Sequence, residues 1–286
     1  MTEIPDVSPA DRDAALVAAA NASGRQPVVF VHGLWLLPTS WDRWVELFED
    51  AGYAAIAPGW PDDPDTVEEA GANPEVFARK SVGDVADHYA GLIGTLERTP
   101  AVVGHSFGGL LAQILAGRGL SVATVAIDPA PFHGVLPLPF SALRVASVAV
   151  KNPLNYRRAV PLTYEQFRYG FANAVSEDEA HRLYDEFAVP APGQPLFQAS
   201  TSNLNPWSET KVRTKAAGRG PLLLLSGEKD HTVPWALTNA AFGKQKRNEH
   251  AVTEIVEVPD RGHSLTIDDG WRDVADLALG FVQRYA

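Results

Sequence analysis

The sequence predicts an α/β fold: a mostly parallel, doubly wound sheet of about six strands, with a helical cap inserted between two of them. Three observations predict it. Five short runs are continuously apolar and each ends in a turn signal, the pattern of strands buried on both faces. Helix patterns fall between these runs. Residues 131–220 break the alternation and hold no convincing buried strand.

The elements follow in order. The first is a helix, with Ser8 as its N-cap, Pro9 at the first position and Gly24 as its stop. The apolar runs are 28–31, 54–57, 101–103, 122–127 and 222–225, and a sixth run, 252–258, ends at Pro259. Helix patterns at 41–51, 82–96, 110–116, 234–242 and 270–285 lie between and after them. The acidic segment 61–69 has turn chemistry and no apolar period. Residues 131–220 turn rich in Pro and aromatics, and the helical patch at 176–187 opens with a capping box of Ser176 and Glu179. A stretch of this length between two strands reads as an inserted cap. The expected division is a core of 1–130 and 221–286 and a cap of 131–220.

Composition narrows the function. The 286 residues are 45% hydrophobic and 21% charged, which excludes a disordered or fibrous chain. The formal net charge of -11 repels phosphate backbones and anionic membranes, so neither a nucleic acid nor a membrane is expected as partner. With no cysteine there is no disulfide, no thiolate nucleophile and no cysteine-based metal site. The eight histidines form no ligand motif, and no phosphate-binding glycine motif is present, so neither metal nor nucleotide cofactor is expected. The acidic N-terminus lacks a signal-peptide pattern, and the apolar run at 14–20 is too short to span a bilayer. A cytoplasmic protein is expected.

One motif carries chemistry. Gly104-His105-Ser106-Phe107-Gly108 fits G-x-S-x-G between an apolar strand and an apolar helix. A serine on so sharp a turn is forced into strained geometry with its hydroxyl presented, and side chains at the two glycines would collide across the turn. A serine hydroxyl attacks only when a base takes its proton. His263, in Gly262-His263 past the 252–258 strand, is the candidate base, and Asp230, past the 222–225 strand, the candidate acid. Asp128, past the 122–127 strand, competes for the acid role; its alternative is to cap the turn at Pro129. The backbone N–H groups of Leu34 and Phe107 are the expected donors to a tetrahedral oxyanion, with Gly33 allowing the turn.

With these pieces the sequence resembles the α/β-hydrolase fold family. The resemblance rests on Val28-Val29-Phe30-Val31-His32-Gly33, the Ser106 turn, the Asp230 loop and Gly262-His263, and spans about 28–130 and 220–286. It implies a serine hydrolase with a Ser106–His263–Asp230 triad acting through an acyl-enzyme. It does not separate esterases from lactonases, carbon–carbon hydrolases, perhydrolase-type haloperoxidases or a ligand-binding protein on this scaffold. The family's usual first two strands are missing, and Pro58-Gly59-Trp60-Pro61-Asp62 replaces its Arg-Gly-x-Gly loop. His32 is expected to brace the oxyanion loop by hydrogen bonds, and His105 to be a satisfied scaffold residue. Trp35, Trp60, Phe132, Phe140 and Trp207 are the expected substrate-binding aromatics, lining an apolar pocket for a small apolar ester.

Overall fold

The computed structural model describes residues 8–137 and 139–286. In chain order its strands are β1 (Pro27–Val31), β2 (Ala54–Ile56), β3 (Ala101–His105), β4 (Thr124–Ile127), β5 (Ala159–Val160), β6 (Ala191–Pro192), β7 (Leu222–Gly227) and β8 (Thr253–Val258). The helices are α1 (Pro9–Ser23), α2 (Asp42–Asp50), α3 (Val67–Ala72), α4 (Val82–Gly94), α5 (Phe107–Gly117) and α6 (Phe140–Val150). They continue as α7 (Tyr164–Gly170), α8 (Glu177–Phe187), α9 (Gln194–Thr201), α10 (Trp235–Gln245) and α11 (Trp271–Tyr285).

Six strands form one parallel sheet in the order β2-β1-β3-β4-β7-β8. The alternation of side chains along a strand explains the two layers. Val29 and Val31 of β1 face the layer that holds α1, α4, α5 and α10. Val28 and Phe30 face the layer that holds α2 and α11. There Phe30 packs against Trp41, Trp44 and Phe48, with ring centroids 5.1 to 6.2 Å away. β8 is an edge strand, so only Val258 of its six residues is buried.

Local signals set several boundaries. The Ser8 hydroxyl accepts the Asp11 N–H, and Gly24 closes α1 in the left-handed region at φ 65°. Ser176 caps α8 through the Glu179 N–H. The other half of the expected box is missing, because Glu179 accepts from the Asp269 N–H 2.7 Å away; a tertiary donor wins the carboxylate. The acidic segment 61–69 also departs from expectation, since α3 starts inside it with the Thr66 hydroxyl accepting the Glu69 N–H.

The chain between β4 and β7 carries α6 to α9 and an antiparallel pair, β5 with β6. It is tied to the loop after β1. The Trp35 indole N–H donates to the Val160 carbonyl at 2.8 Å, and the Val189 N–H donates to the Trp35 carbonyl at 3.1 Å. The carboxyl ends of β1, β3, β4, β7 and β8 therefore open beneath this segment, on the side where open α/β sheets hold their ligands.

Candidate active site

Ser106 joins β3 to α5 at φ 57°, ψ -120°, a conformation that costs a non-glycine residue about 1–3 kcal/mol. Sheet and turn hold it there. Its N–H donates to Ile127 O and its carbonyl accepts from Ala130 N–H, both at 2.9 Å. A Cβ at Gly104 would run into the Gly108 carbonyl, and one at Gly108 into the Val31 carbonyl. The two glycines of the motif are thus required by backbone packing around the turn.

His263 follows β8 and is fully buried. Its Nε2 lies 2.9 Å from Ser106 Oγ and its Nδ1 lies 2.6 Å from Asp230 Oδ2. The Ser264 N–H donates to Phe171 O at 3.0 Å, and the Phe171 ring stands edge-on to the imidazole at 4.8 Å. The other oxygen of Asp230 accepts from the N–H groups of Thr232 and Val233 at 2.6 and 2.9 Å. This fixes which oxygen faces the histidine. With Nδ1–H donating to Asp230, the Nε2 lone pair is free to take a proton from Ser106.

Asp128 stands farther off. Its Oδ2 is 3.9 Å from His263 Nδ1, and its Oδ1 accepts the Gly227 N–H at 2.8 Å. It braces β4 against β7 instead of capping the turn at Pro129. Burial, and then the neighbouring Asp230, push its carboxyl well above the usual carboxylate range. His105 is not satisfied as expected: both ring nitrogens are buried, and neither has a hydrogen-bond partner among the described residues. Burial, and then His263, hold it well below the usual histidine range, so it stays neutral against the His263 ring at 4.6 Å. His105, Asp128 and His263 each offer an atom within 4.8 Å of the others, as a cation site would. The ring nitrogens of His263 are already engaged by Asp230 and Ser106, so an ion here would have to displace the Ser106 hydroxyl from Nε2.

Gly33 packs against the nucleophile: a Cβ there would come 2.7 Å from Ser106 Cβ. Among the described residues, neither Leu34 N–H nor Phe107 N–H finds a protein acceptor outside its own element. A cavity of about 170 Å³ opens beside Ser106. Its walls are Trp35 and Phe107, the small and branched side chains of α6 and α9, and Val233 and Leu237. Among the described residues, no charged side chain lines it. The hydroxyls of Ser200 and Thr232 on its wall already donate to Leu196 O and Gly170 O.

The family model described as the alpha/beta hydrolase family matches residues 28–277. The chain belongs to the alpha/beta hydrolase family. No curated protein matches this hydrolase. Among solved structures it is similar to the monoacylglycerol lipase of Paleococcus ferrophilus, at 20% identity and a TM-score of 0.62, covering 89% of this chain and 94% of that one. An extracellular alpha/beta-hydrolase from a Paenibacillus species is similar at 18% identity and a TM-score of 0.63, over 90% and 98% of the two chains. Rv0554 from Mycobacterium tuberculosis is similar at 19% identity and a TM-score of 0.66, over 92% and 91%. No helix among the described residues is long and apolar enough to cross a membrane.

Of the aromatics expected at the hydrolase's pocket, Trp35 lines the cavity. The other four do not. Trp60 lies behind His32 and donates its indole N–H to the His32 carbonyl at 3.2 Å. Phe132 is packed into the core. Phe140 and Trp207 are 80% and 85% exposed on the insertion. The physical reason is volume: a cavity exists where side chains are small, so Ala142, Ala146 and Ala199 mark it better than large rings do. Nothing in their helical spacing separates these alanines from ordinary helix filler.

The Asp128 carboxyl makes a pH-dependent prediction. Above about pH 4 the unfolded chain releases this proton. The native chain keeps it to higher pH, because its carboxyl is raised. The native state then binds more protons, so this group makes stability fall as pH rises. Asp128→Asn keeps an oxygen for the Gly227 N–H and removes that slope. Thermal melts from pH 4 to 8 should show the variant gaining on the parent as pH rises; a gain that shrinks with pH refutes the assignment.

Proposed function

We propose that this alpha/beta hydrolase is a serine esterase cleaving a small apolar carboxylic ester. The observation that carries the reading is the Ser106–His263–Asp230 hydrogen-bond chain at the edge of an uncharged cavity. Ser106 attacks the ester carbonyl while His263 takes its proton. The tetrahedral oxyanion is held by the N–H groups of Leu34 and Phe107. His263 then gives the proton to the leaving alcohol, leaving an acyl group on Ser106. Water attacks that acyl-enzyme with His263 again as base, and the carboxylic acid leaves. Asp230 orients the imidazole and stabilises its charged form.

The acyl group occupies the cavity, with the insertion as its cap. An engineered apolar cavity of about 150 Å³ holds benzene. A space of about 170 Å³ thus suits a ring or a chain of about six carbons. Each buried methylene contributes about 0.8 kcal/mol, close to fourfold in kcat/KM. The p-nitrophenyl esters should therefore gain about three- to fourfold per methylene from acetate to about hexanoate, and then fall. Val145→Phe, which fills the wall, should move the optimum to shorter chains. A flat profile, or faster turnover of lactones or of acetate with peroxide, would replace the esterase reading.

A further inference from the structure

The loop that departs from the family pattern, residues 58–62, leads into Asp63 and closes on the loop after β1. Asp63 is 1% exposed and meets His32, 3% exposed. His32 Nδ1 lies 2.9 Å from the Gly33 carbonyl, and His32 Nε2 lies 3.0 Å from Asp63 Oδ2. A carbonyl oxygen only accepts, so Nδ1 carries a hydrogen. If the ring were neutral, Nε2 would then turn a bare lone pair toward a carboxylate oxygen in a buried site. That oxygen also accepts the Trp60 N–H at 2.8 Å, and Asp63 Oδ1 has Lys80 Nζ at 3.8 Å. Both neighbours are donors, which leaves both Asp63 oxygens in acceptor roles. The hydrogen-bond valences close when both ring nitrogens of His32 are protonated.

The Gly33 carbonyl and the Leu34 N–H belong to one planar peptide unit and point in opposite directions. An imidazolium that grips the carbonyl fixes that plane and turns the amide away from His32. The same peptide lies against Ser106, where a Cβ on Gly33 would be 3.4 Å from Oγ. Resting on the esterase reading above, we infer that His32 is a buried imidazolium, held by Asp63, that aims the Leu34 N–H and places a fixed positive charge behind the developing oxyanion. It is a positioning residue, acting through a peptide bond. The pair sits in a low-dielectric site, where a charge directed at a transition state acts strongly.

Other charged or titratable groups face this pair from each packed element. Lys80 approaches from the segment before α4, where burial pushes its amine below the usual lysine range. Arg12 on α1 reaches the Asp63 carbonyl at 3.4 Å, and Asp13 accepts the Gly59 N–H at 3.4 Å. From α4, His88 pairs with Asp13 at 3.4 Å and the Tyr89 hydroxyl donates to Pro58 O. From the nucleophile turn, His105 stands neutral. None of these groups bonds to the His32 ring, which among the described residues is held by Asp63 and the Gly33 carbonyl.

The test is a count of ring protons. In protein labelled with ¹⁵N-histidine, at pH 7.5, the His32 ring should show two protonated nitrogens. Asp63→Asn offers nearly the same shape without the charge that holds the second ring proton, and its amide oxygen can still accept the Trp60 N–H. It should leave His32 with one ring proton, lower kcat on a p-nitrophenyl ester about tenfold and change KM by less than twofold. A boronic acid that mimics the tetrahedral adduct should bind about tenfold more weakly to the variant. One ring proton in the parent protein overturns the inference, whether or not the variant folds. So does an unchanged kcat in a variant whose ring has lost its second proton. Failure of the parent to turn over any ester would instead strike the esterase reading, since the proton count needs no substrate.

Discussion

Ser106→Ala should lower ester turnover by about 10⁶, the size of the loss when a serine nucleophile of a well-studied protease is removed. The variant removes one oxygen and nothing else. The glycines at 104 and 108, the bonds of the Ser106 N–H and carbonyl and the His263–Asp230 bond do not involve that oxygen. Covalent labelling by a fluorophosphonate, which adds to activated serine hydroxyls, should vanish with the turnover. Near-UV circular dichroism should match the parent. Labelling that persists in Ser106→Ala, or turnover within tenfold of the parent, would mean that another group does the chemistry.

Asp230→Asn should cost about 10⁴ in kcat, the loss measured for the equivalent change in a serine protease. The structure says why an isostere is so damaging. The N–H groups of Thr232 and Val233 both need an acceptor, and one oxygen of residue 230 serves them. An asparagine there keeps its single oxygen for those donors and turns its NH₂ toward His263 Nδ1. The imidazole then carries its proton on Nε2, facing Ser106, and no longer accepts one. KM should change little, because the cavity wall is untouched. Asp128 does not substitute, since its Oδ2 is 3.9 Å from Nδ1 and burial favours its neutral form. Asp128→Asn should therefore keep wild-type rates within a few fold. If it is the crippled variant and Asp230→Asn is active, the acid is the one that follows β4.

Much of this was legible along the chain. The six parallel strands, the flanking helices and the serine turn arise from local signals: continuous apolar runs, glycines at set spacing, and Ser8 with Gly24 around α1. Chain order and strand ends also brought forward Ser106, Asp230 and His263 as partners, because a parallel sheet delivers every strand's carboxyl end to one edge. Long-range partnership was not legible in this way. Glu179 gives up its capping role to the Asp269 N–H. Asp128 turns to Gly227, and among the described residues neither ring nitrogen of His105 finds a hydrogen-bond partner.

The sequence by itself determined the sheet, the family resemblance and the residues that could carry acyl transfer, because each depends on neighbours a few positions apart or on a strand's end. Only the tertiary structure decided the shape of the pocket and the surroundings of the nucleophile loop. Aromatic residues attract attention in a sequence, yet Phe140 and Trp207 stand in solvent while Ala142 and Ala199 leave the space beside Ser106. Absence of volume has no sequence signature. The contact of His32 with Asp63 joins positions 31 residues apart, and Asp63 itself sits in a loop without helix or strand periodicity. Which carboxylate meets which imidazole is fixed by how the loops pack over the sheet, and that packing depends on the whole chain at once.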